Sequence, residues 1–333
     1  MSIKQRKLQH IKIVLEKDTQ PYPSSFDKYV LPHKALPEID LEEIDTSVEF
    51  FNKEISFPFM IASMTGGEEF GKTINTNLAI SAEKNKIPLA LGSMRVILKK
   101  PETFDSFNIR HLCPSIPLFA NMGLVQLNYG YGAKEINKLI DMIEADGIFL
   151  HINHLQEAIQ PEGDTNFKGL IDKLARILPK VKKPILIKEV GNGIDGETAK
   201  RLSEIGVKWI DVAGGGGTSW PWVEGYRRDD DLGDIFKSES IPTDQCLIDC
   251  REIENLNLIA CGGIRNGKHI SLSLMLGADM ASCAKPFLQP ALKSAEDCTN
   301  VIEKYLKELR ISMFVVGARN IEELKIIKPN LIA

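Results

Sequence analysis

LIACGGIRNGKHISLSLMLGADMASCAKP, residues 258–286, reads as strand, glycine turn, helix and strand. Leu258 to Gly263 is a short, continuous apolar run, Leu272, Met275 and Leu276 recur on one helical face, and Met280 to Pro286 is largely apolar again. Continuous rather than alternating runs belong to strands covered on both faces, as in a parallel sheet. Six more such runs lie upstream: PFMIASM (58–64), PLALGS (88–93), PLFANMG (117–123), GIFLHIN (147–153), PILIKEVG (184–191) and WIDVAG (209–214). Most intervals between them carry a helical pattern, such as Leu170, Leu174 and Leu178. Eight βα units predict a closed parallel barrel, because a doubly wound sheet usually has five or six strands. The expected fold is therefore α/β, a (β/α)8 TIM barrel over 58–333. Residues 1–57 read as a helical and extended N-terminal extension packed on it: an amphipathic stretch, Ile3 to Glu16, then Pro21, Pro23, Pro32 and Pro37. After the sixth run, 215–242 has little period and many turn formers, which suggests a lid-like insertion or a subunit contact.

The bulk composition narrows the class of function. Of 333 residues 43% are hydrophobic and 26% charged, enough apolar surface for a full core and too little polarity for disorder. With 41 basic and 45 acidic residues, a net charge of -4 provides no general attraction for nucleic acid or an anionic membrane. An anionic ligand must be held locally. The six cysteines contain no C-x-x-C pair and are expected to be reduced thiols. No apolar segment follows the basic start, and no run of about 18 apolar residues occurs, so a cytoplasmic location is expected.

Barrel enzymes place their chemistry in the loops that follow the strands. Here nearly every run ends on glycine or polar residues: Ser63-Met64-Thr65-Gly66-Gly67, Gly92-Ser93-Met94-Arg95, Asn121, His151 to Glu157, Lys188-Glu189-Val190-Gly191, and Gly214 to Ser219. One glycine turn signals only backbone geometry, but six polar ends share one mouth. The loops after the seventh and eighth strands, Gly262-Gly263-Ile264-Arg265-Asn266-Gly267 before a helix and Ala284-Lys285, suit a phosphate, because unpaired N–H groups and a helix dipole favour an anion. Lys188 interrupts an apolar strand, where a buried ammonium needs an anion. That partner is Glu189 or Asp211 in a purely structural role, or a flavin or phosphate in a functional one. His151 shares the inward side of its strand with Asn153, with Gln156 and Glu157 just beyond.

Taken together, Arg6-Lys7-x-x-His10, MTGG (64–67), GSMR (92–95), HINHLQE (151–157), QPEGD (160–164), IKEVGNGI (187–194), DVAGGGGTSW (211–220) and GGIRNG (262–267) resemble type II isopentenyl-diphosphate isomerases, the FMN-dependent form, over almost the whole chain. MTGG or GGIR alone is shared by other FMN barrels. HINHLQE followed by QPEGD and GGTSW, in order, is far more specific. The resemblance implies that Met64, Thr65, Ser93, Asn121, Lys188, Thr218 and Ser219 contact the flavin, and that Gly262, Gly263, Arg265, Ala284 and Lys285 surround its phosphate. It further implies that Arg6, Lys7, His10, Arg95, His151 and Asn153 hold a substrate diphosphate, that Glu157 is a Mg²⁺ ligand, and that Gln156 stands beside the reacting alkene and, with Lys188, serves catalysis. FMN, Mg²⁺, NAD(P)H as reductant and a homo-tetramer or larger assembly come with it. Two stretches depart from the family pattern: four consecutive glycines at 214–217, and Phe236-Lys237-Ser238 in place of a tryptophan-rich segment.

The rival enzyme class, an FMN-dependent 2-hydroxy-acid oxidoreductase, requires a histidine base late in the barrel, and His269 lies inside the helix after the seventh strand. A barrel of the inosine-monophosphate dehydrogenase type requires a nucleophilic cysteine in the loop after the sixth strand, and 214–220 has none. A non-catalytic flavin-binding protein predicts loss of Gln156 or Glu157, and both are present.

Overall fold

The computed structural model describes residues 3–66 and 69–332. Gly67, the last residue of MTGG, lies outside them. Each of the eight apolar runs supplies one barrel strand: β1 (Phe59–Ile61), β2 (Leu89–Ala90), β3 (Leu118–Gly123), β4 (Gly147–His151), β5 (Ile185–Lys188), β6 (Trp209–Asp211), β7 (Asn257–Ala260) and β8 (Met280–Cys283). Consecutive strands pair in parallel, and β8 returns to β1 to close the barrel. Most strands are shorter than the runs that predict them, because the polar and glycine residues at the run ends leave the ladder and become the mouth.

Strand periodicity of two fixes what lies inside. Met60, Ala90, Phe119, Phe149, Leu186, Ile259 and Met280 form an apolar cluster that the hairpin Val48–Phe50 and Lys53–Ile55 joins through Phe50 and Ile55. Phe51 packs edge-on to Phe119, 4.9 Å between centroids, and Phe50 meets Trp209 at 5.0 Å. This plug closes the end opposite the loops. Two residues further along each strand the inward position is occupied by Ala62, Gly92, Asn121, His151, Lys188, Asp211, Cys261 and Ser282. The floor is therefore apolar and the mouth polar.

The helix Ile3–Glu16 crosses the mouth, and Arg6, Lys7 and His10 of one face line the cavity below. Within 215–242 the chain forms two short helices, Trp220–Gly225 and Leu232–Phe236, where the sequence shows little period. Ser219 caps the first, its Oγ accepting from Trp222 N, and Pro221 sits in the first turn, where a missing N–H costs nothing. The two helices cross at Gly225 and Gly233, where a Cβ on Gly233 would lie 2.2 Å from Gly225 Cα. All six cysteines are free, and no described helix is long and apolar enough to cross a membrane.

Candidate active site

A cavity of about 680 Å³ opens at the C-terminal ends of the strands. It draws residues from the ends of the eight strands or the loops that follow them, and its roof is the N-terminal helix. Of the predicted site residues, Ser219 stands apart: it caps the helix behind the wall and donates its hydroxyl to Lys237 O at 2.8 Å, whereas the others line the cavity.

The β7 and β8 loops form one end. Gly262 has φ +96°, and a Cβ there would lie 2.1 Å from Gly214 O, so only glycine lets the two loops touch. A Cβ on Gly217 would stand 3.1 Å from Gly262 Cα, and one on Gly214 would stand 2.6 Å from Thr243 Cα. The four-glycine run thus reflects close backbone packing on two sides. Arg265 and Lys285 bring cations to the same end. Arg265 Nη2 is held by Gly216 O at 3.1 Å.

In the middle, Lys188 is buried with two buried carboxylates, Asp211 and Glu189, that feel its charge. Asp211 is its register partner on β6, and burial pushes that carboxyl up to about 6 against the pull of Lys188. Glu189 Oε2 gathers the amides of Val190, Gly191 and Asn192 at 2.5–2.6 Å, although burial pushes its carboxyl up to about 7. The Lys188 ammonium donates to Glu189 O. His151 lies 2.8 Å by Nδ1 from Asn121 Oδ1, and Asn121 Nδ2 donates to Ser63 Oγ at 2.9 Å. With the amide nitrogen so used, His151 Nδ1 carries the proton. Burial, Lys188 and Arg95 together push this imidazole down to about 3.

At the other end the short helix His154–Ile159 presents Gln156 and Glu157 on different faces, as neighbours on a helix must. Gln156 Nε2 donates to Glu224 Oε1 at 2.9 Å, and Gln156 Oε1 accepts from Asn153 Nδ2 at 3.1 Å. Glu157 accepts from Asn153 Nδ2 at 2.9 Å and from Asp164 N at 2.7 Å, and burial keeps its carboxyl above the usual range. Arg95 pairs with Asp164 at 2.6 Å.

Glu224 escapes a reading of the sequence. It is fully buried; burial alone would raise its carboxyl, but His10, 2.9 Å away, Gln156 and Arg227 hold it below the usual carboxylate range. In sequence it is one glutamate in an aperiodic stretch, and only the fold shows that its helix sits under the N-terminal one. Asp164 belongs to QPEGD, but nothing in the motif reveals its pairing with Arg95. His269 is turned away from the cavity, Nδ1 3.0 Å from Gly263 O and Nε2 3.0 Å from Asp27 Oδ1, which removes it as a base.

Residues 153–329 match the family model of FMN-dependent dehydrogenases. A Nostoc protein named isopentenyl-diphosphate delta-isomerase is 44% identical over 96% of this chain and 93% of its own, and one from Oceanobacillus iheyensis is 43% identical over 97% and 95%. The Pyrococcus furiosus protein of that name is 41% identical over 96% of this chain and 84% of its own. Among solved structures, a flavocytochrome b2 variant superposes with a TM-score of 0.70 at 17% identity, covering 97% of this chain and 83% of that one. A mandelate oxidase variant gives 0.66 at 14% identity, with both chains fully covered. These two likenesses concern the barrel fold. The sequence relationships assign the chain: it belongs to the FMN-dependent dehydrogenase family and, within it, to the isopentenyl-diphosphate delta-isomerases.

Proposed function

We propose that this protein is an FMN- and Mg²⁺-dependent isomerase that interconverts isopentenyl and dimethylallyl diphosphate for isoprenoid biosynthesis. The carrying observation is one cavity that joins a glycine-lined cationic end, a buried lysine and a carboxamide–carboxylate pair beneath a basic helix. FMN fits the first two. Thr65 Oγ1 is buried at the cavity wall without a partner among the described residues, and the close packing of the loops at Gly217 and Gly262 keeps both backbones in that wall. Met64, Thr65, Ser93, Asn121, Lys188 and Thr218 would border the flavin, and Gly262, Gly263, Arg265, Ala284 and Lys285 its phosphate. Mg²⁺ fits Glu157 as a single protein ligand: the described residues hold no cluster of three metal-ligating side chains, and such an ion on a diphosphate takes its other oxygens from phosphate and water.

Shifting an unactivated double bond requires a proton placed on one carbon and another removed nearby, and ordinary side-chain acids are weak donors to an alkene. Reduced FMN supplies that proton transfer when bound. Arg6, Lys7, His10, Arg95 and Asn153 would hold the diphosphate at the roof side of the cavity, whereas His151, whose one N–H is used on Asn121 and whose Nε2 only accepts, would border it without a hydrogen bond. Neutral His151 adds no charge there and keeps Asn121 oriented. Gln156, fixed by Asn153 and Glu224, faces the hydrocarbon tail, where a neutral amide costs less than a charge. Lys188 would bring its side chain to the flavin from the cavity wall.

The same reading carries NAD(P)H as reductant, a homo-tetramer or larger assembly and a cytoplasmic location. It also carries a division into a 1–57 extension and a 58–333 barrel whose 215–242 insertion acts as a lid. The 2-hydroxy-acid reading gains no support at residue level, since His269 is committed to Gly263 and Asp27. The test is incubation with isopentenyl diphosphate, reduced FMN and Mg²⁺ without oxygen, followed by proton NMR. Dimethylallyl diphosphate is expected; no isomerisation there, together with oxidation of a 2-hydroxy acid by the oxidised flavoprotein in a parallel aerobic assay, would overturn the proposal.

A further inference from the structure

The segment after the N-terminal helix is bonded to the cationic end of the cavity more closely than a connector requires. Thr19 is fully buried, its Oγ1 accepts from Lys285 Nζ at 3.0 Å, and its carbonyl accepts from Ser219 N at 2.8 Å. Arg265 Nη2 donates to Tyr22 O at 3.2 Å, and Ser24 Oγ donates to Gly263 O at 2.8 Å. Both cations that would face a flavin phosphate are therefore tethered to the 19–24 segment, over 240 residues away in sequence. A buried threonine whose hydroxyl receives an ammonium is a poor choice for packing alone, since valine fills the same volume without a polar group to satisfy.

We propose that Thr19 is a positioning residue of the flavin-phosphate site, which aims the Lys285 ammonium at the phosphate while its backbone carbonyl fixes the adjoining Ser219 loop. This rests on the placement of the FMN phosphate given above and adds the N-terminal segment to it. An ammonium has three N–H groups, so one bond to Thr19 sets the direction of the other two. Without the hydroxyl, Lys285 must be ordered by the phosphate itself.

The test uses FMN and riboflavin, which differ by the phosphate, titrated into flavin-depleted full-length protein and followed by quenching of flavin fluorescence. Thr19→Val is expected to weaken FMN binding roughly tenfold, the size of one hydrogen bond to a charged group, and to leave riboflavin binding unchanged. Thr19→Ser, which keeps the hydroxyl, should restore FMN affinity, and Thr19→Val should add nothing in a Lys285→Met background. If the valine variant does not fold, Thr19→Ala against Thr19→Ser gives the same comparison. Equal losses for FMN and riboflavin, or no loss for FMN, would overturn the role of Thr19. A parent protein that binds riboflavin as tightly as FMN would instead overturn the phosphate placement itself.

Discussion

Gln156 and Glu157 are adjacent in the chain and have different surroundings, so they should fail differently. Burial keeps the Glu157 carboxyl above its usual range, and a divalent cation beside it would favour the charged form. Glu157→Gln should weaken the Mg²⁺ dependence and the apparent affinity for diphosphate. Gln156→Ala should instead lower turnover by ~10²-fold, with Mg²⁺ and flavin binding nearly intact. Parallel Mg²⁺ titrations of initial rate separate the two; variants that lose metal affinity and turnover alike would show that the division of roles is wrong. His151 gives a second test at this scale. Burial and two cations all disfavour its charged form, so the folded protein binds no proton there until well below the ordinary histidine range. Its imidazole nitrogen resonances should stay neutral, protonated at Nδ1, from pH 8 to pH 5, whereas a titration centred near 6.5 would contradict the buried geometry. Both glutamine and histidine are visible in HINHLQE. The partner of Gln156, Glu224, is not, because its importance comes from a contact between segments 68 residues apart.

At the scale of elements, glycine and apolar signals translate directly into structure, and the aperiodic segments do not. GGIRNG reads correctly as a turn into a helix because the φ values of Gly262 and Gly263, +96° and +79°, exclude other residues. The insertion after β6 misleads in the opposite way: Trp220–Gly225 is six residues long, too short to show a period, and its stability depends on a cap and tertiary contact. Ser219 illustrates the consequence. The family pattern implies a flavin contact, whereas its hydroxyl caps the helix that carries Glu224. Ser219→Ala should therefore cost about 1 kcal/mol of stability and reduce turnover through Glu224, while flavin content stays at the parent level. Denaturant unfolding and the visible spectrum measure the two effects, and loss of flavin with unchanged stability would return Ser219 to the cofactor site.

Across the whole molecule, one periodicity explains both stability and function. The inward residues of the strands change from the apolar layer around Phe119 and Phe149 to the polar layer of Asn121, His151, Lys188 and Asp211 within a single repeat of the strand. The hairpin at Val48–Ile55 seals the first layer, and the N-terminal helix roofs the second. The barrel was legible because eight continuous runs recur in order. The roof helix Ile3–Glu16 was legible as an amphipathic stretch whose Arg6, Lys7 and His10 the family pattern sets against the diphosphate, whereas the hairpin was not, since its position is decided by what the barrel leaves uncovered. The central claim, that this cavity moves a proton on a diphosphate alkene with reduced FMN, is tested most directly by running the reaction in D₂O. With FMN, Mg²⁺ and reductant present and oxygen excluded, dimethylallyl diphosphate should form and carry solvent deuterium, and omission of the reductant should stop it. Isomerisation that proceeds equally well without FMN, or no deuterium in the product, would contradict the account.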